Sequence, residues 1–292
     1  MATFAKTTFS HSNYATFRPS YPRSLYDTIL AFHRGPQNLC VDVGCGHGVV
    51  TRSLASDFSK VIGTDPSKGM VSQASSSTPA AQFPDVTFRE ATAENLSFLG
   101  DGSVDAVVAG QAAHWFDYSN MFPEMKRVLR KDGTLAFWGY SDPTFPRYPK
   151  ATAIVHDYGY SKDSAKLGRY WSQPGRDIVE DLYRPIEPPT EDWNDITRVE
   201  YVPDTKGPRS GKGTMFLSKK LKLGEFKEYV RTWSAYHAWQ EQHPDQKKKS
   251  AGGSGDVVDR MMDEMRAAEG WEDEEVEVEM EWGTGLLMAR RA

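Results

Sequence analysis

Four residues in the stretch LCVDVGCGHGVV (39–50) have the types and spacing of a ligand-binding turn: Asp42, Gly44, Gly46 and Gly48. Glycine at every second position lets the backbone approach a ligand closely. The N–H groups of a helix that follows can meet an anionic group. Two phosphate-binding patterns fit poorly. The dinucleotide fingerprint G-x-G-x-x-G needs its third glycine at position 49, which is Val49. A P-loop needs Lys followed by Ser or Thr, and this turn has neither. An acid at Asp42 is awkward beside a pyrophosphate but suits a ligand that carries positive charge.

Further candidates fall at the ends of the segments that follow. Asp65 closes KVIGTD (60–65), where a carboxylate can accept both hydroxyls of a ribose. Pro66 is expected at the first position of the next helix. Met70 lies one turn on, where its thioether can pack on adenine. In EATAENLSF the Ala93 backbone and the Glu94 side chain stand where an adenine edge could be read. An isolated Glu94 would be an ordinary solvated acid; its place after a third strand singles it out. Gln111, just past a fourth strand, completes the set. S-adenosylmethionine carries adenosine, an ammonium and a sulfonium, and no phosphate. The pattern D-x-G-x-G-x-G fits it better than NAD, although Asp65 alone would serve either.

A methyl group on a sulfonium is already activated, so the protein mostly has to hold the acceptor in line. A carboxylate acceptor, with a pKa near ~4, is ionised at neutral pH and needs no base. It needs cationic and hydrogen-bonding groups, and the planar fork of Arg matches it. An alcohol or thiol would need a base. His114 is the candidate for that role, and otherwise positions the substrate. His114 and Trp115 follow the fourth strand; Trp138 and Tyr140 end the fifth and are expected to wall the acceptor pocket. Trp171 and Arg176 lie in an aromatic, loop-like segment that reads as a packed lid. In GEFKEYVRTWSAYHAW (224–239), read as one helix, Trp233 is expected in the core. Arg231 and Tyr236 are expected toward the pocket.

These residues need a scaffold, and the first half of the chain supplies its pattern. Strands are expected at 39–44, 60–65, 86–91, 104–110 and 134–140, with helices at 49–58, from 66, and at 121–133, the last closed by Gly133. This alternation implies a doubly wound parallel sheet, with ligands beyond the carboxyl ends of its strands. After Tyr140 the character changes. We expect an N-terminal segment over 1–37, a cofactor-binding core over 38–140 and a largely helical cap over 141–271 with a possible sheet strand. A strand or hairpin over 272–292 would complete the sheet.

Bulk properties narrow the function classes. The 292 residues are 39% hydrophobic and 26% charged, with a net charge of −5. Such a chain can bury a real core and presents no basic field for nucleic acid. QKKKS (246–250) reads as a solvated linker, and no apolar run is long enough to span a bilayer. The two cysteines, Cys40 and Cys45, fit a reducing cytoplasm and make no metal site. The expected partner is a small-molecule acceptor.

Residues 39–140 resemble a class I S-adenosylmethionine-dependent methyltransferase domain. That resemblance implies an α/β, Rossmann-like fold with a mostly parallel seven-stranded sheet and a helical cap or lid insertion. YATFRPSYP, AHWFD, LRKDGTLAFWGYSDPTFPRYP, GRYWSQPGR and EYVRTWSAYHAW together resemble the fungal trans-aconitate methyltransferase family over nearly the whole chain. It departs from the pattern at His47, where related sequences often have Pro, and at Thr92, where many class I enzymes carry Asp. The resemblance implies that the N-terminal segment lids the site, with Tyr14 and Arg18 on one helical face. Arg18 would then hold a carboxylate of the cofactor or the substrate. Three alternatives stay open: O- or S-methylation of a secondary metabolite or toxin, a nicotinamide oxidoreductase, and a non-catalytic S-adenosylmethionine-binding protein.

Overall fold

Strand β1 (Leu39–Val43) buries Cys40, Val41 and Val43 completely, as a strand covered on both faces requires. The computed structural model describes residues 19–292. In it β1 pairs in parallel with β2 (Lys60–Asp65) and β4 (Val104–Gly110). Outside these, β2 pairs in parallel with β3 (Val86–Glu90), and β4 with β5 (Leu129–Thr144). All their carboxyl ends therefore point one way.

The described chain forms two units. One comprises Ser20–Tyr140, Asp177–Glu200 and Thr284–Ala292. Its strand order is β3-β2-β1-β4-β5-β9-β6, with β6 at Trp193–Val202 and β9 at Glu277–Arg291. These seven strands are the expected set, and the last in sequence inserts beside β5. Helix α1 (Arg23–Phe32) buries Leu25, Tyr26 and Ile29. Helices α2 (Val49–Ser53) and α3 (Lys68–Ser76) follow β1 and β2. Pro66 does not open α3. Ser67 caps it, accepting from the Met70 amide, so the helix begins two residues after the proline.

Helix α4 (Tyr118–Val128) also ends earlier than its amphipathic pattern suggests. Leu129 turns to an extended conformation and pairs with Val104, whereas Thr134 pairs with Ala106. Residues 130–133 therefore bulge opposite Asp105 alone. Arg130 fills the bulge: its Nε donates to Asp105 Oδ1 at 2.7 Å, while Oδ2 accepts the Asn38 and Leu39 amides. Gly133 closes this bulge rather than the helix. A methyl group there would lie 2.8 Å from the Arg130 carbonyl oxygen.

The other unit comprises Ser141–Arg176 and Tyr201–Gly283 among the described residues. It contains α5 (Pro149–Tyr160), a segment whose sequence shows no clear period. A short helix, α6 (Gly175–Glu180), begins in this unit and runs into the first from Asp177, and strands β7 (Lys212–Gly213) and β8 (Ser218–Lys222) follow. In this unit β7 and β8 pair antiparallel with β6 and β9, which brings the strands of the described chain to nine rather than seven. The stretch 224–239 is two helices, α7 (Leu223–Val230) and α8 (Ser234–Gln242). Trp233, extended at ψ 138°, breaks them apart and is buried against Trp171. Helix α9 (Val257–Glu269) is capped by Asp256.

Candidate active site

The turn after β1 holds Gly44, Gly46 and Gly48 at φ +71°, +53° and +82°, the left-handed region that side chains resist. The three glycines do different work. A methyl group at Gly44 would lie 2.5 Å from Ala112 Cβ, and one at Gly48 2.7 Å from the Phe88 ring. Those two let the turn pack down. A methyl group at Gly46 would meet no atom of the described residues within 4 Å, so that side of its backbone is open among them. That is the space a closely bound ligand would fill.

Asp42 lies under this turn with 1% of its surface exposed. Its Oδ2 accepts the Thr51 hydroxyl at 2.6 Å, and its Oδ1 has no hydrogen-bond partner among the described residues. Gly63, opposite Asp42 in the register, makes room for this bond. A side chain there would strike Thr51 Oγ1 at 2.7 Å. Burial pushes the Asp42 carboxyl up to about 7, with the Thr51 bond opposing. A buried carboxyl with an unused oxygen suits a cationic ligand. Asp65 ends β2 as expected, and its two oxygens brace the site. Oδ2 accepts the Gly46 amide at 3.0 Å and Oδ1 the Ser67 amide at 2.9 Å. Burial raises its pKa and these two amides oppose the rise. Each oxygen retains a second lone pair for a ribose hydroxyl.

Met70 and Ala93 are buried, and Ala93 belongs to the core beside the sheet. Glu94 accepts the Asp117 amide at 2.9 Å, so one of its oxygens serves the start of α4. Thr92 makes an isolated bridge with Asn95 that shapes the same loop. Gln111 sits at φ +55°. Its side chain donates to the Tyr140 carbonyl at 3.1 Å and accepts the Tyr140 amide at 2.7 Å. It thereby acts as one more rung between β4 and β5 and fixes Tyr140. Trp138 is 1% exposed and packs edge-on against Tyr21 and Tyr26.

His114 and Trp115 occupy a short turn, Ala113–Trp115, after β4. Trp115 is 45% exposed and its ring lies 4.8 Å from that of half-buried His114. The His114 Nδ1 lies 3.0 Å from the Tyr183 hydroxyl. Tyr183 is buried, and burial pushes its phenol well above the ordinary range. The phenol reaches the turn because Gly139 lacks a side chain; a methyl group there would lie 2.7 Å from the ring. Sequence reasoning missed Tyr183, Tyr21 and Thr51. Tyr183 lies in a stretch without periodicity, and only the glycine in FWGY hinted at a close approach on β5.

Trp171, Arg231 and Tyr236 belong to the second unit. There the Arg231 guanidinium is buried and bonds Asp256, Asp259 and Glu228. Tyr236 donates to the same Asp256 at 2.8 Å. Arg231, expected toward an acceptor, is thus bound by three carboxylates that tie helices α7 and α9 together, and Tyr236 joins the same cluster. Trp171 lies under the Arg176 guanidinium, itself ion-paired with Asp142. Tyr14 and Arg18 lie outside the described residues. No cluster of three metal-ligating side chains occurs among the described residues, and no helix there is long and apolar enough to cross a membrane.

Residues 41–137, which carry this site, match the family model described as a methyltransferase domain. A Saccharomyces cerevisiae protein named "Probable S-adenosylmethionine-dependent methyltransferase CRG1" is 32% identical, over 97% of this chain and 96% of its own. A Dictyostelium discoideum protein described as a methyltransferase is 31% identical over 78% of this chain and 76% of its own. A solved structure from Anaeromyxobacter dehalogenans, described as a type II methyltransferase, superposes with a TM-score of 0.70. It is 26% identical and covers 94% of this chain and 98% of that one. The chain thus belongs to the S-adenosylmethionine-dependent methyltransferases.

Proposed function

We propose that the enzyme methylates a carboxylate of a small polycarboxylate such as trans-aconitate, giving a monomethyl ester. The observation that carries this reading is the His114–Tyr183 contact, which offers the acceptor end of β4 a hydrogen-bonding imidazole held by a buried phenol. The motifs resembling the trans-aconitate family support it. S-adenosylmethionine supplies a sulfonium-activated methyl group. On the protein's side no proton has to move, because the acceptor oxygen is already anionic. Asp42, Asp65 and the Gly46 backbone would hold the cofactor, Gln111 holds Tyr140 in place, and His114 would orient the acceptor. Arg231 and Arg176 are bound to carboxylates of the protein itself. The resemblance to the trans-aconitate family implies Arg18 as a cationic anchor for a carboxylate.

The test is mass spectrometry of protein incubated with S-adenosylmethionine and trans-aconitate, citrate, isocitrate or a dithiol. A product one methyl heavier, formed fastest from trans-aconitate, supports the reading. No product from the polycarboxylates, with cofactor still bound, sinks it. The second reading, methylation of a hydroxyl or thiol on a secondary metabolite, needs a base. His114 is the side chain that favours it, and a product from the dithiol alone would select it.

A further inference from the structure

We infer that Arg52 is a positioning residue for the glycine turn after β1: its guanidinium locks the His47–Gly48 peptide and ties it, through Thr78, to the far end of α3. The consequence for the cofactor rests on the reading that this turn receives S-adenosylmethionine. The lock itself follows from the hydrogen bonds of the turn.

A peptide plane flips by turning ψ of the residue before it and φ of the residue after it, and Gly48 has no side chain to resist. The structure holds the His47–Gly48 peptide on both sides. Its N–H, on Gly48, donates to the Cys45 carbonyl at 2.9 Å. Its carbonyl, on His47, points the opposite way in a trans peptide and accepts Arg52 Nη1 at 2.9 Å. The Arg52 amide donates to the Gly48 carbonyl at 3.0 Å, so Arg52 stands one helical turn past the glycine and its side chain folds back over it. Gly48 leaves the room for this. A methyl group there would lie 3.0 Å from Arg52 Nη1.

The same Nη1 donates to Thr78 Oγ1 at 3.0 Å. The Thr78 hydroxyl gives its own proton to the Ala74 carbonyl at 2.7 Å, which leaves its oxygen to accept. Ala74 belongs to α3 and is completely buried. Helix α3 is thereby tied to the turn at both ends. Asp65 ties its start, by accepting the Gly46 and Ser67 amides, and Thr78 with Arg52 ties its end. Hydrogen bonds from an ionised donor are the stronger kind. No carboxylate competes for this one: Arg52 makes no ion pair among the described residues, and residues 1–18 contain neither Asp nor Glu. Arg52 thus acts on a bound cofactor through the shape of the turn.

The deciding experiment compares native enzyme with Arg52→Gln and Thr78→Val. It reads hydrogen exchange at the Gly48 amide without cofactor, and the S-adenosylmethionine Kd by calorimetry. In Arg52→Gln the Gly48 amide should exchange at least about tenfold faster while the strands keep their protection, and the Kd should rise about tenfold, the scale of one charge-assisted bond. Thr78→Val keeps the shape of the side chain without its acceptor and should move both readings the same way by a smaller factor. Native exchange at Gly48 in a folded Arg52→Gln enzyme overturns the lock. Faster exchange throughout the sheet, rather than in the turn, overturns the positioning role. Faster exchange at Gly48 with an unchanged Kd upholds the lock and overturns the turn as the cofactor's seat, so the two failures are separate outcomes.

Discussion

The Gly46 amide donates to Asp65 Oδ2 at 3.0 Å, joining two residues 19 positions apart. This bond clamps the glycine turn after β1 to the end of β2. Asp65 therefore shapes the site as well as offering itself to a ribose. Asp65→Ala should remove the clamp and the expected ribose bonds together. Each hydrogen bond to a charged group is worth about 1.5–3 kcal/mol, so the S-adenosylmethionine Kd should rise by at least ~10-fold. Calorimetric titration checks this, and an unchanged Kd would move the ribose contact elsewhere.

The glycines separate packing from binding. Gly46→Ala meets no atom of the described residues within 4 Å and should cost only the left-handed backbone penalty, about 1–2 kcal/mol. It should nevertheless abolish tight cofactor binding, because the added methyl occupies the approach space. Gly44→Ala strikes Ala112 and should lose stability as well as binding. Thermal melts with and without cofactor distinguish the two. A Gly46→Ala enzyme that binds normally would place the cofactor away from this turn.

Asp42 makes both stability and binding depend on pH. Its carboxyl is raised from 3.8 to about 7 by burial, so between those values the folded state holds a proton that the unfolded chain does not. Its contribution is fully present below pH 3.8 and is lost as pH rises through about 7. The difference amounts to at most roughly 4 kcal/mol. A cofactor cation held beside Asp42 would reverse the preference, since it favours the ionised carboxyl. Cofactor affinity should fall as pH drops below about 7. Asp42→Asn should flatten both the stability profile of the free enzyme and the pH dependence of Kd. A native Kd constant from pH 6 to 8 would remove Asp42 from the cation's environment.

The geometry of the glycine turn was legible because each of its parts is local. A glycine turn, an acid before it and an acid closing the next strand are fixed by a few adjacent residues, and strand periodicity puts them at one sheet edge. The surroundings of His114 were not, because their determinants are long-range. Tyr183 returns from a segment without periodicity to a turn 69 positions earlier. Gln111 looked like a ligand contact, but its amide completes the pairing of β4 with β5, which no local pattern reveals. The bulge at 130–133 follows from a register shift against Asp105, whereas the helical period of α4 runs straight through it.

The partners of Arg231 are distant in sequence and no local pattern shows them. A lone Arg on an aromatic helix reads as a substrate anchor, yet Asp256 and Asp259, more than twenty positions away, take its charge. The three side chains are buried. Removing one member of such a buried group strands the others. Arg231→Ala should therefore cost about 3–5 kcal/mol of stability. A melt in denaturant would show this as a lower midpoint with little change in slope. Under conditions where the variant remains folded, its KM for the acceptor should stay within about twofold of native, since the charge serves the helices. A stable Arg231→Ala enzyme with a KM raised tenfold or more would return Arg231 to the acceptor site and remove the need for Arg18 as the anchor.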